Sequence, residues 1–428
     1  MSYRTLDDWI RQEAIPFDLD SPATLTAAVD GILTSLDDSV VLLGLGEALH
    51  GGEEILAFRN RLFQRLVVAH GFSAIAIESS FPMGRIANDY VVGRGPDSYE
   101  AVRDAGISHG FGQLEANREL IEWMRAYNAD PAHRVELHFY GFDMPVATGS
   151  MASPRQVLYA VLDYLAALEV AGSEEYRQRI EPLLGADSDW ENPAANIDPT
   201  QAVGLSPAAT ALRITTEDLL TELRVRCPEL VARGGQDRYL EAAHYVAIAR
   251  HLLNYHAATA AGADFGFRLG IRDALMADNL AYIVCREEGR GRVLAFAHTS
   301  HLQRGQAVWP WYTFWPAGSQ LNTMFGPRYA VIGTAVGTSE ANGIGQPEPG
   351  SLEARLTALP GTALAIPTHR GAGLPDAELA ALPTRSGSAR NPSYSPLTAR
   401  SFTDFDWLVV LDSVTYTRGG PPLEGSGA

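Results

Sequence analysis

The stretch from Val40 to Glu78 narrows the possible folds more than any other part of this chain. It opens with an apolar run, Val40-Val41-Leu42-Leu43-Gly44-Leu45, and turns polar at once through Gly46-Glu47-Ala48-Leu49-His50-Gly51-Gly52-Glu53-Glu54. Ile55, Phe58, Leu62 and Leu66 then recur at three- and four-residue steps. A second apolar run, Ser73-Ala74-Ile75-Ala76-Ile77, ends on Glu78. Short apolar runs on either side of a helical period predict strand, loop, helix, strand. In open α/β sheets the reactive groups gather beyond the carboxyl ends of the strands. Glu47, His50 and Glu78 all fall at such ends, on two strands expected to be neighbours, so the active site is expected there.

The alternation continues along the chain. Helices are expected from Leu6 to Ile15, broken by Pro16, and from Ser21-Pro22 through Leu36. Met83–Gly93 is expected as a helix or ordered loop, and a further helix over Leu114–Tyr127, where Leu120, Trp123 and Met124 share a face. Val135–Tyr140 reads as a strand leading into Gly141-Phe142-Asp143, and Arg292–Ala297 as one leading into His298-Thr299-Ser300-His301. Tyr329–Val336 and Trp407–Asp412 complete the strands. Residues 151–183 and 207–261 read as helical, 185–206 as a long loop, and 370–400 as an irregular rim or lid. The expected fold is α/β, a mostly parallel central sheet flanked by helices. It is read as one domain over residues 1–428, with the helices of 150–260 inserted to form part of the cleft.

Charge and composition remove several function classes. The formal net charge of −18 opposes a nucleic-acid or anionic-membrane partner, because both require a basic surface. No apolar run approaches a membrane span, and the N-terminus lacks the layout of a signal peptide, so a cytoplasmic protein is expected. It would be a monomer or small homo-oligomer acting on a small molecule. All 33 cationic residues are arginine. Schiff-base chemistry, pyridoxal phosphate anchoring and the phosphate-loop lysine are therefore excluded. Cys227 and Cys285 sit in no CxxC spacing, and buried apolar roles are expected for both.

The chemistry centres on His50. Imidazole titrates near neutrality and can take a proton from water and return it. Glu47, three residues earlier, could hold the ring in one tautomer, and Glu78 arrives at the next strand end. In the bland reading His50 is an incidental loop histidine. His298 and His301 have a spacing that can ligate zinc, and with His50 and Glu78 could surround a metal. HExxH is absent, and the metal-free, cofactor-free reading is preferred. In a plainer alternative His301 packs inside its turn and only His298 faces the cleft. Arg59, Arg85 and Arg272 could bind an oxyanion or a substrate carbonyl; in the alternative Arg59 and Arg85 are buried ion-pair partners of Glu47, Glu78 or Asp89. There is no GxSxG elbow, no GxGxxG after a strand and no GxxxxGK[ST], so an activated water is the expected nucleophile. The run Trp309-Pro310-Trp311-Tyr312-Thr313-Phe314-Trp315 would line an apolar cleft or pack as core.

These segments resemble the erythromycin esterase family. The resemblance rests on Gly46-Glu47-Ala48-Leu49-His50-Gly51, like the family's GE-x-[ST]-HG turn, and continues through Arg59 and Ala74-Ile75-Ala76-Ile77-Glu78. It extends to Leu120–Arg125 with Tyr127-Asn128, to Gly141-Phe142-Asp143, to Arg272-Asp273 with Met276, Ala277 and Asn279, and to Ala297-His298 with His301. Leu49, Gly52, Phe296 and Thr299 depart from the family's usual residues. The resemblance implies hydrolysis of a macrolide-like ester or lactone without a metal, in antibiotic resistance or secondary metabolism. It makes His50 the general base, oriented or charge-balanced by Glu47 and Glu78 and assisted by Arg59 and His298. Arg85, Asp143, Arg272 and His301 would bind substrate. Two alternatives stand beside it. One is a biosynthetic lyase or cyclase using the same base. The other is a haem or small-ligand binder using a Tyr or His of the insertion, where His244, His251, Tyr255 and His256 lie.

Overall fold

The computed structural model describes residues 3–421. Its twelve strands are β1 Ile15–Phe17, β2 Leu42–Glu47, β3 Phe72–Ser80, β4 His138–Asp143, β5 Val146–Ala147, β6 Ser150–Met151, β7 Arg292–His298, β8 Ala307–Val308, β9 Thr313–Phe314, β10 Tyr329–Thr338, β11 Ala363–Pro367 and β12 Trp407–Ser413. Eight of them form one sheet in the order β1-β11-β12-β10-β2-β7-β3-β4, while β5-β6 and β8-β9 are small hairpins. From β12 to β4 every pairing is parallel; β11 runs antiparallel to both of its neighbours. The expected α/β sheet is therefore present, with two corrections. The strands carrying Glu47 and Glu78 are not neighbours, because β7 lies between them. Strands β1 and β11 close one edge where the sequence pattern predicted none.

Strand alternation sets what each face buries. Leu43, Leu45, Ile75, Ile77, Leu294 and Phe296 point to one face and pack against the helices Pro22–Ser35, Glu53–His70 and Glu115–Ala129. The opposite face carries smaller residues, Ala74, Ala76, Ala295 and Ala297, and receives the long helix Phe265–Arg286. Glu53–His70 begins with Glu53 and Glu54, which favour the positive end of a helix dipole, and stops at Gly71 in a left-handed conformation (φ 68°). Where the helix Phe81–Val91 crosses β4 the backbones nearly touch, and a Cβ on Gly84 would lie 2.2 Å from the Gly141 nitrogen.

Residues 150–260 fold into the helices Arg155–Ala167, Ser173–Leu184, Pro207–Val225, Cys227–Gly234 and Gln236–Ala260. The expected loop of 185–206 contains three short helical turns. The insertion joins the same apolar core as Phe265–Arg286. Its histidines are engaged locally: His244 bonds Asn279 and stacks on Tyr282, His251 meets Asp278, and His256 bonds the Ala152 carbonyl. Cys227 is half-buried and Cys285 exposed, so neither is the core residue expected of it. Each sits near the end of a helix, where packing is incomplete. No helix among the described residues is long and apolar enough to cross a membrane.

Candidate active site

β7 brings the two halves of the site together. Its register pairs His298 directly with Glu47 of β2, and on its other side it runs beside β3, which ends with Glu78 buried just ahead of Ser80. Glu78 accepts the His298 backbone N–H at 2.8 Å. The two strand-end turns therefore meet through the strand inserted between them.

His50 lies in the turn after β2. Its Nδ1–H donates to Glu47 Oε1 at 2.6 Å, and Glu47 is buried. The ring is half-buried and lies 5.2 Å from the His298 ring and 5.4 Å from Phe111. Burial alone would lower its pKa, but Glu47, and behind it Glu78, push it up to about 9. His298 is the opposite case. Burial, reinforced by the cationic His50 beside it, takes it down to about 3. Its Nε2–H donates to the Ser393 carbonyl at 2.7 Å, and its Nδ1 accepts from the Ser300 backbone N–H and hydroxyl. Two adjacent imidazoles are thus held in different charge states, one cationic and one neutral.

A second network lies beneath them. Arg272 donates twice to Asp143, at 2.7 Å each, and through Nη2 to Glu78 at 2.9 Å. His109 shares Asp143 from the other side at 2.8 Å. His301 bonds Asp273 through Nδ1 at 2.9 Å, and its Nε2 lies 3.4 Å from Glu78. Burial opposes ionisation of Glu78, but His301, His50 and Arg272 hold its carboxyl well below the usual range. Asp143 is likewise depressed by Arg272 and His109 against the pull of burial. His301 is raised, because Asp273 and Glu78 outweigh its burial.

The floor opens into a cleft of about 830 Å³ lined by His50, Glu78, Arg272, His298 and His301. One wall is aromatic: Trp309, Trp311, Tyr312 and Phe314, with Phe265 from the long helix. The opposite wall is the irregular segment 384–398, rich in Ser, Thr and Pro. That segment is tied to the site. Ser393 Oγ accepts the His50 N–H at 3.0 Å, Asn391 Nδ2 donates to the His50 carbonyl at 3.0 Å, and the Ser395 N–H donates to the Ala48 carbonyl at 2.7 Å. The expected rim is therefore a clamp on the His50 turn as well. The helices of 150–260 supply no lining among the described residues; they support the Phe265–Arg286 helix from behind.

The expected site residues divide accordingly. His50, Glu47, Glu78, His298, Asp143, Arg272 and His301 are brought together. His301 lines the cleft beside His298, against the alternative that hid it in its turn. Arg59 lies behind the site. It is buried, donates to Asn60 and the Ala116 carbonyl, and sits 4.8 Å from the Phe296 ring centroid. It joins Glu47 and Glu78 only around a small inner hollow of about 20 Å³. Burial lowers it to about 10, so it remains a cation near Glu47 and cannot touch a ligand in the main cleft. Arg85 does not belong to the site. It points outward, more than half exposed, and pairs with Glu241 of the insertion. His109, Asp273 and Ser393 were not anticipated. His109 adopts a left-handed backbone (φ 60°), a strained state that often marks functional positions. Among the described residues no group of three or more His, Cys, Asp or Glu is arranged to hold a metal ion.

Fold and site together define a class: an α/β protein furnished for proton transfer, with histidines and buried carboxylates interleaved at the carboxyl edge of its sheet. A family model described as erythromycin esterase matches residues 67–414, and the chain belongs to the erythromycin esterase family, a family of hydrolases. The match begins beyond Glu47 and His50, whose placement rests on the geometry above. An Escherichia coli protein described as erythromycin esterase type II is 24% identical over 340 residues, covering 76% of each chain. Among solved structures, a Bacillus cereus protein superposes with a TM-score of 0.74 at 17% identity, covering 97% of this chain and 98% of its own. A mutant of the erythromycin esterase EreC in its open conformation superposes with a TM-score of 0.67 at 18% identity, covering 91% and 96%. At these identities the structural likenesses establish the fold alone.

Proposed function

We propose that this protein hydrolyses an ester or lactone in a bulky, largely apolar natural product of macrolide-like class, with His50 as the general base for water. One observation carries the reading: His50 donates through Nδ1 to buried Glu47 at 2.6 Å while its ring lines the same cleft as Glu78 and His298. Nε2 has no hydrogen-bond partner in the protein among the described residues, so it is the nitrogen that can meet water. In the neutral form Nε2 takes a proton from water as the oxygen attacks the ester carbon. Glu47 holds the opposite nitrogen and stabilises the imidazolium that results. The negative charge on the former carbonyl oxygen develops above a floor containing Arg272 and His301, which favours it. As the intermediate collapses, the imidazolium returns its proton to the leaving alkoxide, giving an alcohol and a carboxylic acid and restoring neutral His50; the acid then releases its proton to solvent as the carboxylate.

The substrate class follows from the family and from the cleft, whose volume and aromatic wall suit an apolar body larger than a simple acyl ester. The test is turnover of a macrolide lactone in oxygen-18 water by the native protein and by His50→Asn. One labelled oxygen is expected in the product carboxylate, and a loss of turnover of about a hundredfold or more in the folded variant. Retained turnover in folded His50→Asn, or product without label, overturns the proposal.

A further inference from the structure

The aromatic wall does not end at the cleft mouth. From His298 the rings proceed to Trp309 at 5.8 Å, from Trp309 to Tyr312 at 6.2 Å, and from Tyr312 to Phe265 at 4.9 Å. A second file from His301 reaches Phe314 at 5.9 Å and joins Tyr312 at 6.3 Å. Both files begin on floor histidines and run outward to partly exposed Tyr312 and to Phe265, with Val308 and Trp311 beside them along the same cavity. Phe265 is 45% exposed, Val308 61% and Trp311 90%. All three still line the same cavity as His50. The backbone under this strip is fixed: β8 pairs with β9, and Gly266 sits so close to the Thr313 carbonyl that a Cβ there would lie 2.3 Å from it.

Exposed apolar side chains scattered singly need no explanation, but a contiguous strip that continues a reactive cleft does. Tryptophan supplies a large, rigid contact surface, and leaving its ring in water forgoes that burial. The cleft walls above the floor carry no cationic or acidic side chain among the lining residues, and the protein's net charge of −18 disfavours an anionic ligand group. The facing wall offers Ser and Thr hydroxyls.

We propose that Trp311, Val308 and Phe265 form an outer subsite for an elongated, uncharged apolar arm of the substrate, one that leaves the cleft over the β8-β9 hairpin while the substrate's polar face meets the 384–398 wall. The assignment deepens the hydrolase reading and rests on it for the identity of the reacting end. Trp311 is then a specificity-determining residue that grips substrate without touching the reacting bond. The arm's apolar surface is covered by rings already held in place, so binding strengthens as the arm lengthens until the hairpin is covered.

The test separates arm binding from hydrolysis. Uncleavable N-alkyl amides, from ethyl to dodecyl, are titrated against native protein, Trp311→Ala, Trp311→Phe and Val308→Ser, with binding read by calorimetry. Native protein is expected to bind more tightly as the alkyl chain lengthens. Trp311→Ala should weaken the long amides about tenfold and leave the short ones unchanged. Trp311→Phe should restore most of the loss, and Val308→Ser should mimic it more weakly. Affinity independent of chain length, or a Trp311→Ala effect that is equal for all lengths or absent, overturns the subsite. If the length dependence holds while no ester or lactone is turned over, the subsite stands and the hydrolase reading falls.

Discussion

Glu47→Gln is the substitution that most directly tests how the site sets its base. In the native protein His50 sits near 9, because Glu47 and Glu78 overcome burial. Only the neutral ring can accept a proton from water. At pH 7 that form is about 1% of the population and at pH 9 about half, so kcat/KM should rise about 50-fold between them if His50 is the base. Glutamine keeps the shape but removes the charge and the charged hydrogen bond. Burial and Arg272 then act downward with less opposition, and the midpoint moves toward acid. The rise between pH 7 and 9 should flatten. The plateau should also fall, because an amide does not stabilise the imidazolium formed during attack. The assay is initial-rate hydrolysis of a macrolide lactone across pH 6–10, with folding checked at each pH. A native profile that is flat from pH 7 to 9, or the same midpoint in both proteins, would refute the proposed role of the pair.

Other substitutions probe the surrounding structure. Ser393→Ala removes the acceptor of the His50 N–H and should lower kcat roughly tenfold with little change in KM, about the worth of one hydrogen bond; an unchanged kcat argues against the clamp. Gly84→Ala places a methyl against the β4 backbone and should cost at least about 1–3 kcal/mol in urea unfolding. Glu287 is buried at the far end of the sheet, where it accepts from His138, Ser73 and Tyr140. Burial would raise it, yet these partners hold it at about 2. Its contribution is therefore fully present above the unfolded value of 4.5 and is lost as pH falls through 2. Glu287→Ala should destabilise by about 3–5 kcal/mol at neutral pH and unfold with a shallower acid limb. The His50–Glu47 pair has the opposite sign: its stabilisation is complete below about 6.5 and is lost as pH rises through about 9, visible as a native melting temperature that falls faster than that of Glu47→Gln over that window.

What the sequence disclosed follows the range of the interactions involved. Glu47 and His50 were legible because three residues in one turn bring their side chains together. The floor residues Glu78, Asp143 and His298 were legible because apolar runs ended on them. The order of parallel strands was not, since each strand's pattern records burial on two faces but not which strand lies alongside. The antiparallel strand Ala363–Pro367, next to the edge, was missed because its short apolar run sits among Gly and Pro. His109 has no periodic context, and its partner Asp143 lies 34 residues away. Arg85 shows the converse. It lies close to the Glu78 turn in sequence, but its helix points it at Glu241.

The placement of β7 also bears on how the chain comes to be active during synthesis. The segments bearing Glu47 and Glu78 emerge early, yet the slot between them is filled only by residues 292–298, more than two hundred positions later. Until then both strands present bare edges to the solvent and His50 has no opposing imidazole. A ribosome-bound or truncated product ending before that point would lack the proposed site, with unprotected strand edges open to a neighbouring chain.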